Sequence, residues 1–253
     1  MSAEQHSHPL AGRTALVTGG ARRLGAAIVE ALHDAGARVV IHYRASGGEA
    51  EALAARLEAA RPGSAACVQG DLVDTLGLPG LAERAAAAFG GLDLLVNNAS
   101  SFYPTPFGRI TERHWDELMG SNLKAPLFLS QAAAPWLRKQ HGAIINMVDV
   151  HARRPLAGHA VYCAAKAGLE MLTYSMAHEL APEIRVNGIA PGAILWPEAG
   201  VEEAEKSATL AGIPLGRTGA PADIAACALY LAAPGSYLNG QVIAVDGGRH
   251  LGF

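Results

Sequence analysis

Residues 14–25 read TALVTGGARRLG. The run at 14–18 is apolar or β-branched and suits a buried strand. It enters a glycine turn directly, and residues 24–35 then have helical composition. A strand, a glycine turn and a helix in that order set backbone N–H groups and a helix N-terminus where a pyrophosphate would lie. Outward from this unit the alternation continues. Strand-like runs fall at 38–43, 66–69, 93–97, 143–148, 184–190 and 241–245. Helical segments fall at 49–60, 76–89, 112–140, 160–180 and 221–232, with Pro126 and Pro135 interrupting the long one. Seven short strands alternating with helices predict an α/β fold, a doubly wound, mostly parallel sheet covered on both faces. A single domain is expected over 13–253, after a flexible arm at 1–12. Residues 192–215 break the rhythm and read as a substrate-loop excursion.

Composition narrows the function classes. Half of the 253 residues are apolar, which is enough for a large core. A formal charge of −3 gives no electrostatic case for nucleic acid or an anionic membrane surface. Cys67, Cys163 and Cys227 are scattered and suggest neither a disulfide framework nor a metal cage, which points to a reducing cytoplasm. The opening MSAEQHSHPL lacks an apolar h-region. No apolar run reaches the ~20 residues of a spanning helix.

The glycine turn predicts a dinucleotide site. Gly19 supplies the tight turn, and Gly25 lets the helix sit close to the sheet. Arg23 stands where a middle glycine is expected. The second strand ends in His42-Tyr43-Arg44-Ala45-Ser46, with no acid for a ribose 2′-hydroxyl. Arg22, Arg44 and Ser46 instead suit a 2′-phosphate, which favours NADPH. Asp71-Leu72 and Asn97-Asn98-Ala99 fall at carboxyl ends of strands, where ligands bind in open α/β sheets. Asp71 is a candidate partner for an adenine amino group, and Asn97 a candidate brace beside the adenosine.

Tyr162-Cys163-Ala164-Ala165-Lys166 opens a helix, and positions i and i+4 share a helical face. A neighbouring ammonium lowers a phenol pKa, so this pair is expected to deliver a proton near neutral pH. Lysine is scarce, with only Lys124, Lys139, Lys166 and Lys206 present.

The turn TGGARRLG, the segment NNAS, Asn122, YCAAK and Pro191-Gly192 together resemble the short-chain dehydrogenase/reductase family over essentially the whole chain. The resemblance implies a Rossmann-like sheet, a nicotinamide cofactor and hydride transfer. By it, Tyr162 is the proton donor, and Lys166 tunes it and holds the nicotinamide ribose. Asn122 anchors a relay water, and Pro191-Gly192 lines the nicotinamide site. One departure stands out: where that family usually has a serine, 13 residues before the tyrosine, this chain has Asp149. An ionised carboxylate repels a developing oxyanion. With Arg23, NNASSFYPTP (97–106), VDVHARRPLAGHAVY (148–162) and the ending Arg249-His250-Leu251, the chain looks like the pteridine reductase branch. That likeness implies a dihydropterin or dihydrofolate reduced at a C=N bond, with the pterin stacked on Phe102. Arg23 and Ser100 would then bond pterin and cofactor phosphates, and Asp149 would donate to the ring. Leu24, Tyr43, Leu72 and Ala99 complete the implied cofactor contacts, and a homotetramer is the implied assembly. The alternatives are an NADPH-dependent carbonyl reductase and, less favoured, a silent dinucleotide sensor.

Overall fold

The computed structural model describes residues 8–196, 200, 202–233 and 237–251. The elements run β1 (Thr14–Val17), α1 (Arg23–Asp34), β2 (Arg38–Tyr43), α2 (Gly47–Ala60), β3 (Ala65–Gln69), α3 (Leu78–Ala87), β4 (Leu94–Asn97), α4 (Glu112–Met119), a π turn (Gly120–Lys124) and α5 (Ala125–Lys139). They continue with β5 (Ala143–Met147), a 3₁₀ turn (Val150–Ala152), α6 (Ala160–Glu179), β6 (Arg185–Pro191), α7 (Glu203–Ala211), α8 (Pro221–Ala232), β7 (Val242–Val245) and a second 3₁₀ turn (Arg249–Leu251).

All seven expected strands are present within about two residues of their expected bounds. They form one sheet of order β3-β2-β1-β4-β5-β6-β7, and every pairing is parallel. This is the doubly wound Rossmann arrangement, and the order reverses between β1 and β4. Side chains alternate faces with period two. Leu16, Val40, Leu95, Ile144 and Val186 pack on one face, against α3 and α5. Val17, Ile41, Val96, Ile145 and Ile189 pack on the other, against α1 and α8. Helix α1 buries Gly25, Ile28, Val29 and Leu32, an i, i+3, i+4, i+7 stripe.

The long helix expected over 112–140 departs from expectation in an informative way. It breaks at the π turn 120–124, not at its prolines. Pro126 has no N–H to give the carbonyl four residues back, that of Asn122, and it lies in the first turn of α5, where a missing donor costs least. Pro135 is accommodated inside α5.

The described part of the expected arm is attached to the body. Leu10 is 3% exposed and its N–H donates to Ala35 O at 2.9 Å. Residues 1–7 lie outside the described residues, as do 197–199 and 201 of the excursion. The rest of the excursion carries α7, which buries none of its residues. No described helix is long and apolar enough to cross a membrane.

Candidate active site

Two cavities meet outside the carboxyl ends of the strands. One, of about 380 Å³, is lined by Gly19, Arg22, His42, Arg44, Asp71 and Leu72, among others. The other, of about 640 Å³, is lined by Phe102, Asp149, Tyr162, Lys166, Pro191 and Gly192, among others. Arg23, Leu24, Asn98 and Ser100 line both, so they make one cleft.

The first cavity is built on the glycine turn. Gly19 has φ +59°, and the turn brings Gly25 so close to Gly19 O that a Cβ there would lie 2.1 Å away. Arg23 also sits in the left-handed region, at φ 52°, which explains why a glycine is the ordinary choice at that place. The first-turn N–H groups of α1 have no carbonyl partners inside the helix and stand at the cavity wall. Arg22 and Arg44 supply positive charge, and Arg22 also faces Glu49 at 3.7 Å. Asp71 lines the same space, and its Oδ1 accepts the Val73 N–H. Orphan helix N–H groups beside two guanidinium groups fit the phosphates of a dinucleotide.

Three residues expected at this end are placed differently. Asn97 faces inward, where its Nδ2 donates to Ser130 Oγ (3.0 Å) and Asn146 Oδ1 (2.8 Å). The brace on the glycine turn is its neighbour Asn98, whose Nδ2 donates to Thr18 O and Gly19 O. Alternation explains the swap: adjacent residues at a strand end point to opposite sides. Tyr43 lies against Gly47, and Ser46 occupies the N-cap position of α2; neither is among the cavity's lining residues.

His42 is the residue that sequence reading missed here. It is buried at the end of β2, accepts the Gly19 N–H at Nδ1 (3.1 Å) and meets Gly70 O through Nε2 (3.2 Å). Those partners require the neutral Nε2–H tautomer. Burial enforces it by lowering the pKa to about 4. The histidine thus ties the glycine turn to the end of β3.

The second cavity holds Asp149, Tyr162 and Lys166. Asp149 follows β5 at the N-cap of the 3₁₀ turn, where its Oδ1 accepts the His151 N–H at 2.8 Å. Tyr162, in the first turn of α6, donates its O–H to Asp149 Oδ2 at 2.7 Å. Lys166 is 2% exposed, and its Nζ donates to Met147 O at 2.7 Å while standing 5.6 Å from the centre of the Tyr162 ring. Burial lowers its pKa to about 8, and the Asp149 charge works against that fall.

The expected low phenol pKa is not found. Burial and then the Asp149 carboxylate raise it well above the ordinary value, and contact with Ser100 opposes the rise. The lysine lies one turn along, beside the ring, whereas the aspartate touches the oxygen. Burial leads the rise, and the nearer carboxylate adds to it.

Asn122 sits in the π turn and is fully buried. Its Nδ2 donates to Leu118 O and Ser101 O, and its Oδ1 accepts from Ser100 Oγ at 2.6 Å. It therefore links the helix break to the loop after β4. That loop carries Phe102, 51% exposed, which meets Tyr162 edge-on with centroids 4.8 Å apart. His159, also unforeseen, stacks on one face of Phe102 at 4.7 Å and 12°. Arg153 turns from the cleft to Glu170, while His151 lines it. Arg249 lines the cleft.

A family model described as enoyl-(acyl carrier protein) reductase matches residues 19–250. Pteridine reductase 1 of Leishmania tarentolae is 38% identical, covering 94% of this chain and 96% of that protein. 3beta-Hydroxysteroid dehydrogenase 1 of Eggerthella lenta is 38% identical, over 96% and 95%. A 3-oxoacyl-[acyl-carrier-protein] reductase of Staphylococcus aureus is 37% identical, over 94% and 98%. Among solved structures, a chain titled a short-chain alcohol dehydrogenase from Sinorhizobium meliloti superposes with a TM-score of 0.91 at 34% identity, covering 96% of this chain and 98% of that one.

Proposed function

The chain belongs to the short-chain dehydrogenase/reductase family, and from that membership we propose an NADPH-dependent reductase that adds hydride and a proton to a polarised double bond of a small molecule. The observation that carries the reading is the shared cleft, which joins the phosphate-binding turn to the Asp149–Tyr162 pair. NADPH, when bound, supplies the hydride. The chain's own residues do the rest. Arg22, Arg44 and the N-terminus of α1 hold phosphates, Lys166 sets the charge behind the phenol, and Tyr162 and Asp149 carry the proton. Arg44→Asp is expected to raise the KM for NADPH by about tenfold or more, by removing a charge-assisted bond, with a smaller change for NADH. Steady-state kinetics with both cofactors reads this.

Two substrate classes fit. Carbonyl compounds have the wider support among the relatives, through the hydroxysteroid and oxoacyl enzymes. In that reading Tyr162 protonates the oxygen and Asp149 positions the substrate. A dihydropterin C=N bond is favoured by one relative and one local observation. Asp149 presents a carboxylate where an oxyanion would develop, yet it can donate to, or accept N–H bonds from, a ring nitrogen. Phe102 offers a flat face beside it.

Assays with NADPH against cyclic ketones, an acetoacetyl thioester, dihydrobiopterin and dihydrofolate separate the classes. Asp149→Ser sharpens the test. If C=N reduction is native, it should lower dihydropterin kcat/KM by about 10²-fold or more while ketone turnover rises. Unchanged dihydropterin turnover in this variant would remove Asp149 as the donor. NADPH binding without turnover of any compound would sink both classes.

A further inference from the structure

We infer that a second, smaller cavity beside the carboxyl-terminal turn is a docking site for an anionic tail on the substrate, a carboxylate or phosphate carried at a distance from the reacting bond. The inference rests on the reading that the main cleft holds substrate. This cavity, of about 220 Å³, lies between Val150, the end of α7 and the turn Arg249–Leu251. Arg249 and Thr209 line both it and the main cleft, so a long ligand can pass from one to the other along that shared wall.

The charges there are lopsided. Arg154, Arg249 and His250 face the small cavity. Asp246 is engaged by His250, accepting its N–H at 2.6 Å and meeting Nδ1 at 2.9 Å. Glu205 lines the main cleft only. Arg154 Nη1 donates to Arg249 O and His250 O, which pins the turn that presents Arg249. The Arg249 guanidinium, half-buried, makes no hydrogen bond or ion pair with other described residues. A guanidinium held at a cavity wall with its donors unused suits a carboxylate or phosphate, which it can meet through two bonds at once. Elsewhere the molecule employs its buried or half-buried cations: Arg61 donates to three carbonyls, and Arg185 also donates to three.

Two kinds of tail share this chemistry, the glutamate carboxylates of a folate and the phosphates of a coenzyme A thioester. The test uses pairs matched in their reacting group: dihydrofolate against dihydrobiopterin, and acetoacetyl-CoA against ethyl acetoacetate. Titration calorimetry of the full chain with NADP⁺ reads binding, and steady-state assays with NADPH read turnover. In the wild type the tailed member of one pair is expected to bind about tenfold or more tighter, and that pair identifies the tail. In Arg249→Met the ratio should fall to about one. Arg249→Lys keeps the charge and should recover part of it. Equal affinities within both wild-type pairs, a ratio that survives Arg249→Met, or no binding of any compound overturns the tail site. Tail-dependent binding without turnover leaves the tail site standing and overturns the reaction proposed above instead.

Discussion

Tyr162→Phe is expected to lower kcat by about 10²–10⁴-fold while leaving NADPH affinity within a small factor of wild type. The phenol oxygen sits 2.7 Å from Asp149 Oδ2 and lines the cleft. Removing it takes away the one group that can pass a proton between the carboxylate and a substrate atom facing the ring. The ring itself, with its edge contact to Phe102, is retained, so the walls of the cleft should keep their shape. Single-turnover rates and fluorescence titration with NADPH separate the two quantities. A loss of cofactor affinity as large as the loss of rate would show that the hydroxyl supports the fold of the site, and the acid role would fall. The high pKa of the phenol fits a group that gives up its proton only as a substrate atom gains basicity.

Gly25→Ala is the second large effect, and it acts at the other end of the cleft. The new Cβ would lie 2.1 Å from Gly19 O and 2.7 Å from Asn98 Nδ2. No side-chain rotation relieves a clash with a backbone oxygen, so α1 or the glycine turn must move. Overpacking of this kind costs about 1–3 kcal/mol in stability. Displacing the helix N-terminus should also weaken NADPH binding by about tenfold or more, since the orphan N–H groups lose their aim. Gly80→Ala in α3 is the control. Its Cβ meets only Arg84 Nη1, at 3.6 Å, and an alanine there should leave stability equal or slightly higher. Thermal unfolding and cofactor titration of both variants check the contrast. If Gly25→Ala bound NADPH as tightly as wild type, the turn would not be the phosphate site.

The strands were legible because both faces of a parallel sheet are buried, so each strand reads as a continuous apolar run such as RVVIHY at 38–43. The turn between β1 and α1 was legible from its glycines. Residues that act by facing a particular way were harder to read. Asn97 and Asn98 are the same residue type side by side, and only the strand's pleat decides which braces the turn. His42 looked like part of a strand, and its partners, Gly19 and Gly70, lie far from it in sequence. The pKa of Tyr162 was misjudged because the sequence shows Lys166 four residues away but neither the burial of the ring nor Asp149 at hydrogen-bond distance. The helix break at Asn122 did leave a signal, in Pro126, which denies Asn122 its usual backbone donor.

Arg23 shows how this chain divides its free energy. Holding a non-glycine residue in the left-handed region sacrifices about 1–2 kcal/mol that glycine would not lose. In exchange, its guanidinium spans from the glycine turn to Trp196 O at 3.1 Å and walls both halves of the cleft. Stability is surrendered for reach. A thermostabilising redesign that restored glycine at this position would relax the backbone and at the same time unfasten the glycine turn from the segment that follows β6.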